Sequence, residues 1–372
     1  MKCDILFIRV DEVINMRQYT PEAGTRFVNM VKSIQRGESF YYNHALPFFK
    51  LMIRDLTQTS KHTLKQLEVK EDPNTRWVAY FKHSYVTKEM GFYVNKNSIL
   101  KANIPENASE KAAHLNAVFQ LALTCCHEFR HYEQANMVAN AEVLKMDPKA
   151  ILYAKEDVLI REDLEFYKQN HDLFIMEMDA MVQAFDDVRD LALTAKGLDL
   201  EDAKKIIRNC KAYASEYKED IIKYRSQNGF GEEIAQRFDQ TFSRLSQSKR
   251  QMYLNAMPVL TLVYNQDGSK NSYRELMRIK NELIENKKSK TINQQEVKLF
   301  EENLTRTINV IINSDNMLRK QRDNDYQNKG IKRENNHTQE LDEFGVPLSQ
   351  IQKAQRELQE AQKKYSHKGI SR

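Results

Sequence analysis

The chain has 372 residues, 41% of them hydrophobic and 29% charged, with 57 Lys and Arg against 52 Asp and Glu and a net charge of +5. The mild basic excess does not by itself point to nucleic acid, and the absence of any run of about 18 apolar residues predicts no membrane span. The length allows two or three structural units, and 10 glycines and 7 prolines, against roughly 26 and 19 at average usage, argue for long helices.

Residues 3–10 read as a buried strand rich in Ile, Leu, Phe and Val. This apolar run is too short for a signal peptide, and no small-residue cleavage site follows it. Helical patterns follow at Pro21–Gln35 and Pro47–Leu56, with Pro47 suited to a first helical turn. Leu64–Val69 is a candidate strand. Trp77–Phe81 and Gly91–Asn95 are β-prone runs joined by a polar segment, and Ile99–Ile104 is expected to add a third strand. Asn107 and Glu110 are spaced as a capping box opening a helix that runs to about Val138. Leu115, Phe119, Ala122, Cys126 and Phe129 recur on it at three- and four-residue spacing, an apolar stripe expected to pack on the sheet.

A further helix is expected over Leu164–Ala195, with Phe174, Met178, Met181, Phe185 and Val188 on its apolar face. Asp202–Arg225, Glu232–Met252, Tyr273–Asn286 and Gln294–Ile312 are helical in pattern. Asn328–Phe344 is polar and aperiodic, a linker or disordered segment, and Val346–Tyr365 is a charged helical tail. The fold class expected is α+β and predominantly α-helical, with a small mixed N-terminal sheet packed on the Asn107–Val138 helix and a helical C-terminal region. The corresponding domains are 1–105, 106–250, 251–327 and 328–372. Four cysteines, Cys3, Cys125, Cys126 and Cys210, fit neither a disulfide framework nor a zinc ribbon, which points to a reducing, cytoplasmic setting.

The chemistry concentrates in His127-Glu128-Phe129-Arg130-His131. Residues four apart on a helix share a face, so His127 and His131 can offer two imidazole nitrogens to one metal ion. Glu128 can reach a water on that ion as a general base without being a ligand. A catalytic zinc also needs a third protein ligand. A downstream Gly and His would fall at 134 and 137, where the chain has Gln134 and Met137, so the metzincin pattern is excluded. Glu177, in Glu177-Met178-Asp179-Ala180, lies 46 residues after His131 and borders an apolar face, where a carboxylate is costly unless paired or metal-bound. Small Ala180 would permit its helix to approach closely. His171 and Asp179 are the alternative third ligands. Cys125, Cys126 and Tyr132 read as packing residues, and His114 as too far along the helix to be a ligand.

The pairing of His127-Glu128-Phe129-Arg130-His131 with a downstream Glu-x-x-Ala helix resembles the gluzincin branch of zinc metallopeptidases, most closely the anthrax lethal factor group. The resemblance spans about 105 residues, from Trp77 to the helix of Glu177. It implies Zn2+ as cofactor, His127, His131 and Glu177 as ligands, Glu128 as general base, and a protein or peptide substrate. It further implies an oxyanion donor, for which Tyr167 and His171 are the candidates, and a substrate held along a sheet edge at Gly91–Asn95 or Ile99–Asn103. Thermolysin-like members place an Asp four residues after the ligand Glu to support a ligand histidine. That position is Met181 here, so the supporting carboxylate would be Asp179 or Asp172. Two competing readings are a zinc-stabilised interaction module without activity and a nucleic-acid-associated accessory protein. The latter would rest on Arg319-Lys320-Gln321-Arg322 and Lys332-Arg333, but nearby Asp323, Asp325, Glu334 and Glu340 dilute these charges and favour a solvated tail.

Overall fold

The computed structural model describes residues 17, 19–60, 65–87, 89–100, 110–139, 149–227 and 230–265, with scattered positions from 267 to 305. The chain divides into two compact units. The first comprises Met1–Ala139 and Gln169–Lys223, the second Asn140–Lys168 and Tyr224–Arg372. The architecture is predominantly helical with a three-stranded mixed sheet. The expected strand at 3–10, the capping box at Asn107, and everything from 328 onward lie outside the described residues. So do the chain positions at the expected boundaries 105/106 and 327/328.

In the first unit, α1 (Pro21–Lys32) starts where the Thr20 hydroxyl accepts the Ala23 N–H and Pro21 takes the first turn. A short helix at Gly37–Phe40 and a π-turn at Tyr41–Ala45 lead into α2 (Leu46–Thr59). Phe27, Phe48, Phe49, Met52 and Ile53 are fully buried between these helices and the sheet. Each such side chain contributes about 1.5–3 kcal/mol on leaving water.

The sheet has the order β1-β3-β2, with β1 (Val69–Glu71) parallel and β2 (Ala79–His83) antiparallel to β3 (Met90–Val94). The strand expected at 64–69 shares only Val69 with the observed β1, Val69–Glu71, which is the stretch that pairs with Phe92–Val94. The second expected strand is displaced by two residues. Trp77 is 55% exposed under the Arg76 guanidinium, and pairing starts where Asn95 N–H reaches the Val78 carbonyl. The strand expected at Ile99–Ile104 is a correction where it is described: Ile99 and Leu100 close a short helix, Lys96–Leu100, and 101–104 lie outside the described residues. The Asn95 side-chain oxygen accepts the N–H groups of Asn97 and Ser98 at 2.8 and 3.3 Å. An Asn that satisfies the first orphan amides of a turn starts a helix and so ends β3.

The sheet packs on α3 (Glu110–Ala139), whose stripe of Leu115, Phe119, Ala122, Cys126 and Phe129 is buried as expected. The most extensive helix–helix contact described is that of α3 with a helix placed further along the chain. The expected helix 164–195 proves to be two. α5 (Leu164–Asn170) ends in a 3-10 turn, His171–Leu173, and α6 (Ile175–Thr194) starts after an extended Phe174. Asn170, His171 and Asp172 hold a helix weakly because their side chains compete for local hydrogen bonds. Phe174 is fully buried and fixes the break. The buried face of α6 is also turned from the one expected. It carries Glu177, Ala180, Ala184, Val188 and Leu191, while Met178 and Met181 are only half-buried. α7 (Leu200–Gln227) follows.

In the second unit, α4 (Lys149–Glu162) packs against α8 (Phe230–Arg244). The expected helix 232–252 is broken at Leu245, because the Ser246 hydroxyl accepts the Lys249 N–H and caps a new helix, α9 (Gln247–Ala256). Glu162 anchors α9 to α4 through Lys249 and the Tyr253 hydroxyl. No described helix is long and apolar enough to cross a membrane. Cys125, Cys126 and Cys210 are buried free thiols.

Candidate metal centre

α3 carries His127 and His131 one turn apart, with their rings perpendicular and 4.7 Å between centroids. Both sit at the margin of the core, their side chains 13% and 15% exposed. α6 brings Glu177, in its first turn and nearly buried, against them. The two Nε2 atoms are 3.1 Å apart, and Glu177 Oε2 is 3.3 Å from each. A tetrahedral ion with bonds of about 2.0–2.1 Å holds its donors about 3.3 Å apart, so this triangle has the dimensions of one face of such a site. The donor set, two imidazoles and a carboxylate, is one that can hold a divalent transition metal. Among the described residues this is the one group of three or more His, Cys, Asp or Glu whose donor atoms converge so closely.

The electrostatics are those of opposite charges drawn together out of water. Burial works against a proton on His131, but the Glu177 carboxylate, together with Glu128 and Gln134, outweighs it and raises the imidazole to about 10. Burial likewise disfavours the Glu177 carboxylate, yet His131 and His127 hold it well below its ordinary range. A dicationic metal placed among these atoms would take the role that the imidazole protons play for the carboxylate.

Glu128 lies beside the triangle on the same helical turn, and its Oε2 accepts the Phe81 N–H of β2 at 2.9 Å. Tyr132 packs its ring on Phe81 and donates its hydroxyl to the Lys65 carbonyl, the packing role expected of it. His114 contacts the Met30 carbonyl through Nε2 and stands apart from the cluster. His171, in the turn before α6, places Nε2 3.4 Å from Glu177 Oε2 while its Nδ1 contacts Asp172 Oδ1 at 2.8 Å. His171 is thus next to the triangle but not part of the converging set, and neither is Asp179. Tyr167, the other candidate oxyanion donor, lies on α5 in the second unit.

The sequence reading passed over three groups at this site. One is the backbone amide of Phe81, which only the strand register could reveal. A second is Arg130, whose Nε donates to Asp179 at 2.6 Å and whose NH1 reaches Glu133 at 2.8 Å. The third is Gln134, fully buried one turn beyond His131. Its place on the row of the two histidines puts it near the site but does not encode its role. Comparison with protein families, characterised proteins and solved structures finds no match to this chain.

Proposed function

We propose that the chain is a zinc-dependent hydrolase of peptide bonds. The observation that carries this reading is the convergence of His127 Nε2, His131 Nε2 and Glu177 Oε2 at tetrahedral spacing, with a further carboxylate, Glu128, on the adjoining position. A zinc ion bound there lowers the pKa of a water toward about 7 and polarises a carbonyl oxygen. The chain's own residues do the rest.

Glu128 takes a proton from the attacking water and returns it to the leaving amine. His171 holds Asp172 on its Nδ1 and presents Nε2 beside Glu177, so that its imidazolium form, with a hydrogen on both nitrogens, can donate to the developing oxyanion. The substrate platform is the outer edge of β2, which replaces the expected edges at 91–95 and 99–103. β3 is the central strand, and the other segment begins as a helix. Asn95 N–H bonds the Val78 carbonyl and Ser84 N–H the Glu89 carbonyl. In an antiparallel pair such bonds alternate, so Val78, Tyr80, Lys82 and Ser84 face β3. Ala79, Phe81 and His83 turn their backbone groups outward, on the side where Glu128 meets Phe81. A peptide added to that edge as a strand lies alongside the general base.

The test is Glu128→Gln assayed on an unfolded protein substrate. Zinc content should stay at the wild-type level while kcat falls about 10²–10⁴-fold. A wild-type protein that binds zinc and cleaves no peptide would instead be a zinc-stabilised interaction module.

A further inference from the structure

If His127, His131 and Glu177 hold the metal ion proposed above, His131 must offer it Nε2. A neutral imidazole has one N–H and one lone pair, so it can bind a cation through Nε2 only when Nδ1 carries the hydrogen. His131 Nδ1 lies 2.9 Å from Gln134 Oε1. Which end of the Gln134 amide faces the ring is settled by its other contacts. The amide nitrogen donates to the Met176 carbonyl at 2.9 Å and to Asp179 Oδ2 at 3.1 Å. Both partners are acceptors, and an amide nitrogen has two hydrogens to give. Turning the amide over would set its oxygen against a carbonyl and a carboxylate, three acceptors around a side chain that is itself fully buried. Asp179 is itself held by Arg130 Nε at 2.6 Å.

We infer that Gln134 is a positioning residue that locks His131 in the tautomer whose Nε2 lone pair points at the metal. It does the work that a carboxylate does behind many metal-bound histidines. Met176 and Asp179 flank Glu177 on α6, so the same side chain also fixes the ligand carboxylate relative to the ligand imidazole. His127 has no such support: its buried Nδ1 has no hydrogen-bond partner among the described residues. Preorganisation at this centre is therefore one-sided, and it runs through an amide.

The experiment measures zinc affinity by competition with a chromophoric chelator, together with the ring-nitrogen NMR spectrum of the zinc-loaded chain. In the wild type, His131 should show zinc on Nε2 and a slowly exchanging proton on Nδ1. Gln134→Met keeps the length and removes the amide. It should weaken zinc about 10–100-fold and let the Nδ1 proton exchange rapidly. Zinc affinity in Gln134→Met within threefold of wild type would overturn the assignment. Should Gln134→Met not fold, the wild-type spectrum decides, and zinc on Nδ1 of His131, or an unprotected Nδ1 proton, would overturn it. A wild-type chain that takes up no zinc at all would bring down the metal-centre reading itself, a result distinct from either.

Discussion

Asp187, on α6, is buried with its Oδ1 2.9 Å from Arg17 Nε. An ion pair would ordinarily hold a carboxyl low, yet this one is raised to about 6. Burial is the largest cause, and Arg17 opposes it. Glu133 and Asp190 add like charge, and both draw on Arg17 as well, at 3.3 Å from its guanidinium and 2.9 Å from its backbone N–H. The sign follows directly. The native chain binds a proton here more tightly than the unfolded chain does, so stability falls as pH rises from about 4 to about 6, and the loss is complete above that. Two pKa units correspond to about 3 kcal/mol at most. Asp187→Asn cannot titrate. The stability of wild type relative to Asp187→Asn, from urea unfolding, should therefore decline between pH 4 and pH 7 by up to that amount. Parallel pH profiles would contradict the buried-carboxyl account.

At the same scale, what the sequence made readable was the chemistry of side chains at fixed spacing. His127, Glu128 and His131 stand on one turn because helix geometry leaves no alternative, and Glu177 was singled out because a carboxylate on an apolar face needs a partner. Gln134 and Arg130 were not readable as support for the site. Their roles depend on Asp179 and the Met176 carbonyl approaching from another helix, and no local pattern encodes that approach.

At the scale of elements, the centre depends on how closely α6 lies on α3. The buried face of α6 runs from Glu177 through Ala180 to Ala184, both alanines fully buried, so no bulk holds the two helices apart below the ligand. Ala180→Leu would add three carbons to that contact. It should cost about 1–3 kcal/mol of stability and, by pushing Glu177 outward from the imidazoles, weaken zinc binding. Urea unfolding and a zinc titration of the variant check the two parts. Unchanged zinc affinity would show that the spacing of these helices does not set the site.

The elements also show where periodicity misleads. Apolar residues recur from Phe174 onward at helical spacing and led to a continuous helix 164–195. The break at His171–Leu173 is instead set by polar residues of weak helix preference and by the burial of Phe174. That break brings the His171 ring to Glu177. Likewise Ile99 and Leu100 have strand-like composition, but the Asn95 side chain had already capped a helix in front of them. In both cases a short-range hydrogen-bonding residue overrode the hydrophobic pattern.

At the scale of the whole molecule, the first unit holds the sheet, α3, α6 and the entire donor triangle. The general class, mostly helical with a small mixed sheet, was legible because scarce glycine and proline, two β-prone runs and long amphipathic stretches all point to it. The mixed order β1-β3-β2 was not, because which strand lies at the edge depends on a parallel pairing between segments more than twenty residues apart. That order makes β2, rather than β3, the edge presented to Glu128.

The most direct measurement is the zinc content of the purified full-length chain, by elemental analysis after dialysis against limiting zinc, beside that of Glu177→Gln. This variant keeps the volume of the side chain and removes the charge. One zinc per wild-type chain, lost in Glu177→Gln while the fold is retained, is the result expected if His127, His131 and Glu177 jointly hold the ion. Full zinc retention in Glu177→Gln, or none in the wild type, would contradict it.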